Sequence, residues 1–439
     1  MTSDILDRPA VSTTSPGRLG SHGRDPRGEM AQRLPAAVQP FLTWLTAKPM
    51  AGEGYRKVSG QRHLASAILW TLAGSAVGAG AFAGPWYALA ALPLGFLLTS
   101  CGLGLFQVVI FHHCAHGTVF KEREHNRLAG RLISALLLFK HFDVYQREHM
   151  LHHSAKRLFT HEDEFTQFVF DMCGLEAGLD RRELWRRVAA KLASPSFHAH
   201  FLLRRIQASL LSHDRTHNCW GASAWIAAIG VAAACGQLVP FIVVWLVPVT
   251  VLLQVATVFR ILCEHRFPDR TLIEARDKTF VGLATAGVFP GAMPPPRQLA
   301  ARERAIGWIR WWATMLAIHL PVRLFVLVGD APCHDYHHRR PASKRWPNYI
   351  HARQADQDAG CPGFPVNYIE TWGLFRAIDQ NLASLAATAP EALGSLSRPS
   401  AARDGSLRRQ ADDHRRSGLG LAANAEAAAM TLDQGLAYR

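Results

Sequence analysis

Two long stretches of this 439-residue chain, 63–120 and 216–259, contain no Asp, Glu, Lys or Arg. Charged residues still make up 19% of the whole, so the charge is crowded into the remainder. That partition excludes an evenly amphipathic soluble globule and points to a membrane protein with large wet segments. Cysteine is sparse, eight residues with no C-x-x-C pair, which excludes a disulfide scaffold and a Cys-ligated iron–sulfur run. Also absent are a G-x-G-x-x-G dinucleotide turn at a strand–helix junction and an appended haem-binding segment. Acid is the minority sign, 34 residues against 48 basic ones, a formal net charge of +14. Hydrophobic content of 49% excludes wholesale disorder.

The first uncharged stretch holds two apolar runs, Leu64–Ala83 and Trp86–Phe111, parted by Gly84-Pro85. At about 1.5 Å per residue, a run of this length spans roughly 30 Å, the thickness of the hydrocarbon layer. The second stretch divides near Cys235–Pro240. The expected fold is therefore an all-α polytopic membrane protein with four transmembrane helices in two hairpins, near 64–83, 87–111, 220–237 and 240–261. A cytosolic helical cap would hold a site for two metals. Lys and Arg number 9 in residues 1–63, 16 in 112–215 and 23 in 260–439, and the hairpin connections carry none. Positive-inside asymmetry places both termini and the central segment in the cytosol. The basic surface suits anionic lipid headgroups or an acidic protein; nucleic acid is not an expected partner. Arg outnumbers Lys 40 to 8, which favours a bacterial inner membrane.

Three domains are expected: a mobile N-terminal segment with an approach helix over 1–60, the membrane domain over 61–355, and a C-terminal extension over 356–439. The extension is expected to be largely mobile after about 383, apart from a short helix at Leu421–Leu432. Ala305–Gly329, with three Trp beside Arg310, His319 and Arg323, reads as an interfacial helix. Val281–Pro296, uncharged and ending in Met-Pro-Pro-Pro, reads as a surface loop. The insertion 162–215 reads as helices lying on the membrane as a lid.

The chain has 22 His, so chance pairs must be discounted. An H-x-x-x-H pair arises about once by accident at this frequency, but an H-x-x-H-H triple in only about one such chain in twenty. The triple occurs twice, as His149-Met-Leu-His152-His153 and His334-Asp-Tyr-His337-His338. His112-His113-Cys-Ala-His116 follows the second apolar run directly. On a helix, positions i, i+3 and i+4 share a face, so each triple can converge on a metal, as can His112 and His116 at i and i+4, and these eight ligands suggest two ions. His265, just past the fourth apolar run, is a candidate ninth ligand. His113, Glu264 and Asp335 are candidates to orient an imidazole, as are Glu148 and Glu162-Asp163-Glu164. His213-Asp-Arg-Thr-His217 reads as the chance match; His125, His141 and His161 lack ligand spacing.

With these boxes on a four-crossing scaffold, the sequence resembles the membrane fatty acid desaturase and hydroxylase superfamily over roughly residues 60–355. His112–His116 matches the first box, His149–His153 the second, and His334–His338 the third. The chain departs from the pattern at His113, where the family usually has Asp or Glu. It departs again after the second box, where Thr160-His-Glu-Asp-Glu164 stands in place of an Asn. The resemblance implies two iron ions, dioxygen as co-substrate, and desaturation of a fatty acyl chain presented as lipid, acyl-CoA or acyl-carrier protein. Electrons would come from a ferredoxin-like or other small carrier. Alternatives are hydroxylation of a carotenoid, sterol or alkane, or a divalent-metal transporter. A transporter would carry ligands at mid-membrane, where the uncharged stretches have no His.

Overall fold

The computed structural model describes residues 25–397, and within them the chain is predominantly helical. Three helices are long and apolar enough to cross a membrane: α1, Gly60–Ala83; α2, Trp86–Ala115; and the later Leu238–Glu264. The run expected near 220–237 is also helical, within Arg215–Ala234, but its opening turns are polar and it falls short of that length-and-hydropathy standard.

Helices α1 and α2 form the expected hairpin, and small residues let them approach closely. A Cβ on Gly74 would lie 2.2 Å from the Thr99 amide nitrogen, and one on Gly102 would lie 2.1 Å from Thr71 Oγ1. Glycine costs a helix about 1 kcal/mol relative to Ala, and close backbone packing offsets this between apolar helices. In α2 the last turns widen to a π-helix over Leu105–Phe111, directly before His112. Such a widening rotates the residues beyond it relative to those before it.

Helices α3 (Arg123–Leu137) and α4 (Phe142–His152) follow. A break at Leu138, in the left-handed region at φ 55°, turns the chain between them. The expected lid segment contains α5 (Pro195–Leu210) and leads into α6 (Arg215–Ala234), which Asp214 caps by accepting from the His217 amide. Helix α7, Leu238–Glu264, contains Pro240 and Pro248 and two π-helical stretches, Ile242–Leu246 and Pro248–Leu252. Proline removes a helical donor, which accounts for this irregularity.

The expectation of a surface loop at Val281–Pro296 is corrected. Helix Lys278–Ala284 enters it, and strand β1, Gly287–Phe289, is buried throughout and pairs in parallel with β2, Glu370–Trp372. An uncharged run followed by prolines reads equally well as a buried strand, and only pairing with a partner more than 80 residues on distinguishes the two. The Trp-rich region is helical, as α8, Ala301–Thr314, continuing through Met315–His319 and Leu320–Phe325. Its Arg323 is buried and bonds the Trp44 carbonyl and the Tyr349 hydroxyl. Last come α9, His334–Arg339, and α10, Leu374–Ala387.

Both expected domain boundaries meet ordered structure. The N-terminal segment has two helices, Pro26–Arg33 and Gln39–Thr46, joined by the fully buried Arg27, which donates to Gln39 and Thr43. The boundary at 355 cuts helix Tyr349–Asp358, and α10 docks on the rest of the fold: Asn381 Nδ2 donates to the Leu262 carbonyl. The helix expected at Leu421–Leu432 lies outside the described residues.

Candidate metal centre

Four pieces of chain deliver the imidazoles. The first box is the end of α2, the second the end of α4, and the third is α9. His265 is the first residue beyond α7, in extended backbone held by a bridge to Thr285. All nine predicted ligands gather into two groups, within each of which the donor atoms lie within 4.8 Å of one another. One comprises His112, His116, His149, His153 and His337; the other His152, His265, His334 and His338. Each triple divides between the groups, so the two sets of ligands are interleaved.

The donor atoms face each other. His112 Nε2 lies 2.7 Å from His337 Nε2, and His337 Nε2 lies 2.9 Å from His153 Nε2. His149 Nε2 is 3.0 Å from the Nε2 atoms of both His116 and His153. In the second group, His334 and His265 Nε2 atoms are 3.2 Å apart. Two nitrogens each about 2.1 Å from one ion, at right angles, stand about 3.0 Å apart. Some of the other ring nitrogens face oxygens, whereas Nδ1 of His153 and of His265 has no hydrogen-bond partner. His152 Nδ1 lies 2.8 Å from Asp163 Oδ1, His149 Nδ1 3.5 Å from Glu164, and His112 Nδ1 3.4 Å from the Tyr145 hydroxyl. A ring that donates from Nδ1 has only a lone pair at Nε2. Lone pairs converging at these separations repel unless a cation lies between them. His338 is 4% exposed and neither of its ring nitrogens has a hydrogen-bond partner. A buried imidazole without partners is costly, and ligation removes that cost. The donor set therefore fits metal ions that take imidazole nitrogen.

Electrostatics agree. Burial pushes the pKa values of His153, His265, His334, His337 and His338 well below the usual imidazole range, and that of His116 to about 2. Neutral rings are the form that binds metal. His152 differs: burial works to lower its pKa, but the charge and hydrogen bond of Asp163, with Glu164 and Glu264, raise it overall. Glu164 is itself held at about 2 against its burial, by Lys140 and by His149.

The residues expected to orient the rings fare differently. Glu264 Oε1 lies 3.7 Å from His334 Nδ1, while its carboxylate accepts from Arg260. His113 joins no large group; its Nε2 lies 2.8 Å from Asp330 Oδ2, and its ring stacks on Trp346 at 3.9 Å. Asp330, four residues before the third box helix begins, has no spacing signal in the sequence. Asp335 turns away from the imidazoles to Arg353, which donates to both carboxylate oxygens. There it closes the inner end of β1, where a Cβ on Gly287 would meet both partners. Of the acidic run, Asp163 is fully buried and also accepts from the Phe159 and Phe165 amides and the Thr166 hydroxyl. Glu148 pairs with Lys140. His125 and His161 are exposed, whereas His141, His213 and His217 meet elsewhere.

A cavity of about 710 Å³ opens beside the rings, within the usual range for binding sites. His112, His149, His152, His265 and His334 form its inner end, and Val108, Phe111, Phe139, Phe165, Phe168 and Ile261 supply apolar wall.

A family model described as fatty acid desaturase matches residues 85–372. A protein of Bacillus subtilis (strain 168) named "Fatty acid desaturase" is 32% identical over 81 residues, which cover 17% of this chain and 23% of that relative. The span of the family match takes in all three boxes and His265, whose imidazoles build the two groups, together with Asp163 and Asp330. The chain belongs to the fatty acid desaturase family.

Proposed function

We propose that the protein is a membrane-bound, oxygen-dependent oxidoreductase that introduces a double bond into a fatty acyl chain. Its two imidazole groups would each hold one iron. The observation that carries this reading is the convergence of nine histidines into two adjoining groups, one of which contains the partnerless, buried His338. When bound, the irons would supply what no side chain can, an oxidant for an unactivated C–H bond drawn from dioxygen.

The chain's own residues do the rest. Val108, Phe111 and Ile261 offer an apolar wall against which an acyl chain would lie beside the imidazoles. His112, His116, His149, His153 and His337 would ligate one iron; His152, His265, His334 and His338 the other. Asp163 holds the His152 ring through Nδ1, and Glu264 and Glu164 stand beside His334 and His149. Lys140 keeps Glu164 ionised.

The proposal includes four crossings. Helix α6 would be the fourth beside α1, α2 and α7, supported by the exposure of its Ile226, Ile229 and Val231. The helices beyond the spans would form a cytosolic cap at a bacterial inner membrane. Residues 61–355 would be the core of the membrane domain. An external, acidic one-electron carrier such as a ferredoxin would supply electrons, its approach favoured by the net charge of +14.

Purified protein is expected to carry about two irons per chain. Cells expressing it should accumulate a lipid that has lost two hydrogens, and this product should vanish in His152→Ala while the protein remains in the membrane. One zinc or no metal, or unchanged product in that variant, overturns the reading.

A further inference from the structure

A line of rings leads away from the group of five. His113, Asp330 and His337 bring their donor atoms within 4.8 Å of one another, and the His113 and His337 ring centroids stand 5.3 Å apart. Asp330 fixes the buried His113 ring through Nε2. Trp346 lies on that ring at 3.9 Å and within 9° of parallel. Trp346 is itself buried, and the partly exposed ring of His63 stands 5.4 Å from it. Successive ring contacts thus connect a proposed iron ligand to the edge of the protein.

The surface over that edge is basic. Three pieces of chain meet around Trp346: its Nε1 donates to the Thr118 carbonyl, Asn348 exchanges two hydrogen bonds with the Val58 backbone, and Gln61 donates to the Val119 carbonyl. Residues 55–63 carry Arg56, Lys57 and Arg62, residues 117–122 carry Lys121, and residues 343–348 carry Lys344 and Arg345. All six are exposed, and none forms an ion pair with a described residue. Glu122 is the one acid on these segments. By contrast, the exposed Arg181, Arg186 and Arg270 pair with Asp379, Glu183 and Glu274. Clustered like charges repel one another, and a partner of opposite sign relieves that repulsion. The patch flanks the start of α1 and the end of α2, the same membrane face as the first box.

We propose that this patch is the docking site of the acidic one-electron carrier, and that Trp346 and His113 conduct its electrons to the group of five. The inference rests on the proposed reaction. Each turnover takes two hydrogens from the acyl chain and reduces one dioxygen to two waters. The balance requires two electrons and two protons from outside; two carrier molecules each give up one electron and are oxidised, and the protons come from solvent. Electron transfer slows steeply as the gap between redox groups widens, so rings in contact favour this route over one through aliphatic packing. Transient redox encounters bury little surface and depend on complementary charge, which the six unpaired cations supply. Anionic lipid headgroups are drawn by the same charge, but they have no use for a ring path to the centre.

The test is the affinity of an acidic ferredoxin for the full chain in phosphatidylcholine nanodiscs, read without turnover. Lys344→Glu with Arg345→Glu should weaken binding about tenfold at low salt, and added salt should shrink the difference. Arg302→Glu with Arg304→Glu changes the net charge equally on exposed residues of α8 and should leave the affinity within about twofold. Equal loss in both double variants, or loss in neither, overturns the docking site. So does a first double variant that loses only its affinity for phosphatidylglycerol, which would assign the patch to lipid. Trp346→Phe tests the route: ferredoxin affinity and iron reduction by dithionite should keep their wild-type values, while reduced ferredoxin is oxidised several-fold more slowly. An unchanged rate overturns the route. Absence of product under dithionite, with ferredoxin binding intact, would instead sink the proposed reaction.

Discussion

The two large imidazole groups are built differently. The group of five includes His116 and His153, which are partly exposed, whereas all four rings of the other group are buried. The smaller group compensates with charge behind it: Asp163 on His152 at 2.8 Å and Glu264 near His334 at 3.7 Å. The larger one is backed at longer range, by Glu164 on His149 at 3.5 Å and the neutral Tyr145 hydroxyl on His112 at 3.4 Å. One group relies on ligand number, the other on burial and fixed carboxylates. A site with one ligand fewer depends more on each member, and on what orients it.

That contrast can be broken most sharply at the rings. His338→Ala is expected to remove about one metal per chain and all product, because the group of four has no spare imidazole. His116→Ala, in the group of five, should retain more metal than His338→Ala; equal loss would make the groups equivalent. Next in size is the backing. Asp163→Asn should cost about 10–100-fold in metal affinity, and Glu164→Gln clearly less. Titrating both variants with metal and comparing midpoints checks the order.

Acid stability measures the buried rings together. Rings whose pKa values are lowered by burial stay neutral in the folded, metal-free protein but gain protons on unfolding. Their contribution is therefore full above about pH 6.5 and lost as pH falls below it, by about 1.4 kcal/mol per pH unit for each ring. His153, His265, His334, His337 and His338 all act in this direction, and His152, raised by Asp163, acts against it. Metal-free protein should lose melting temperature steeply between pH 6.5 and about 5, and Asp163→Asn should steepen the loss. A flat profile would mean that the rings are not neutral. The smallest expected effect is Tyr145→Phe, which removes a long contact to His112; product formation should fall by less than about threefold.

Much of this site is legible before folding. The triples His149–His153 and His334–His338 announce themselves by i, i+3, i+4 spacing, and the first box by its place at the end of an uncharged run. His265 has no such spacing; position past α7 is the sole sequence clue, and the bridge to Thr285 turns its ring into the group. Asp330 is invisible, because its partner His113 lies 217 residues away. Asp335 misleads, since a carboxylate beside a ligand reads as its support until Arg353 claims it. The buried strand at Gly287–Phe289 misleads for the same reason: its pairing partner is remote.

Local sequence determined which segments avoid charge, which lengths match a bilayer, and which imidazoles share a helix face, because each follows from short-range periodicity and the cost of burying charge. Tertiary structure alone decided that each triple divides between two groups, that a carboxylate or a hydroxyl stands behind a given ring, and that His141 finds His213 and His217. Those outcomes depend on where separate helices end relative to one another, and helix ends are positioned by long-range packing.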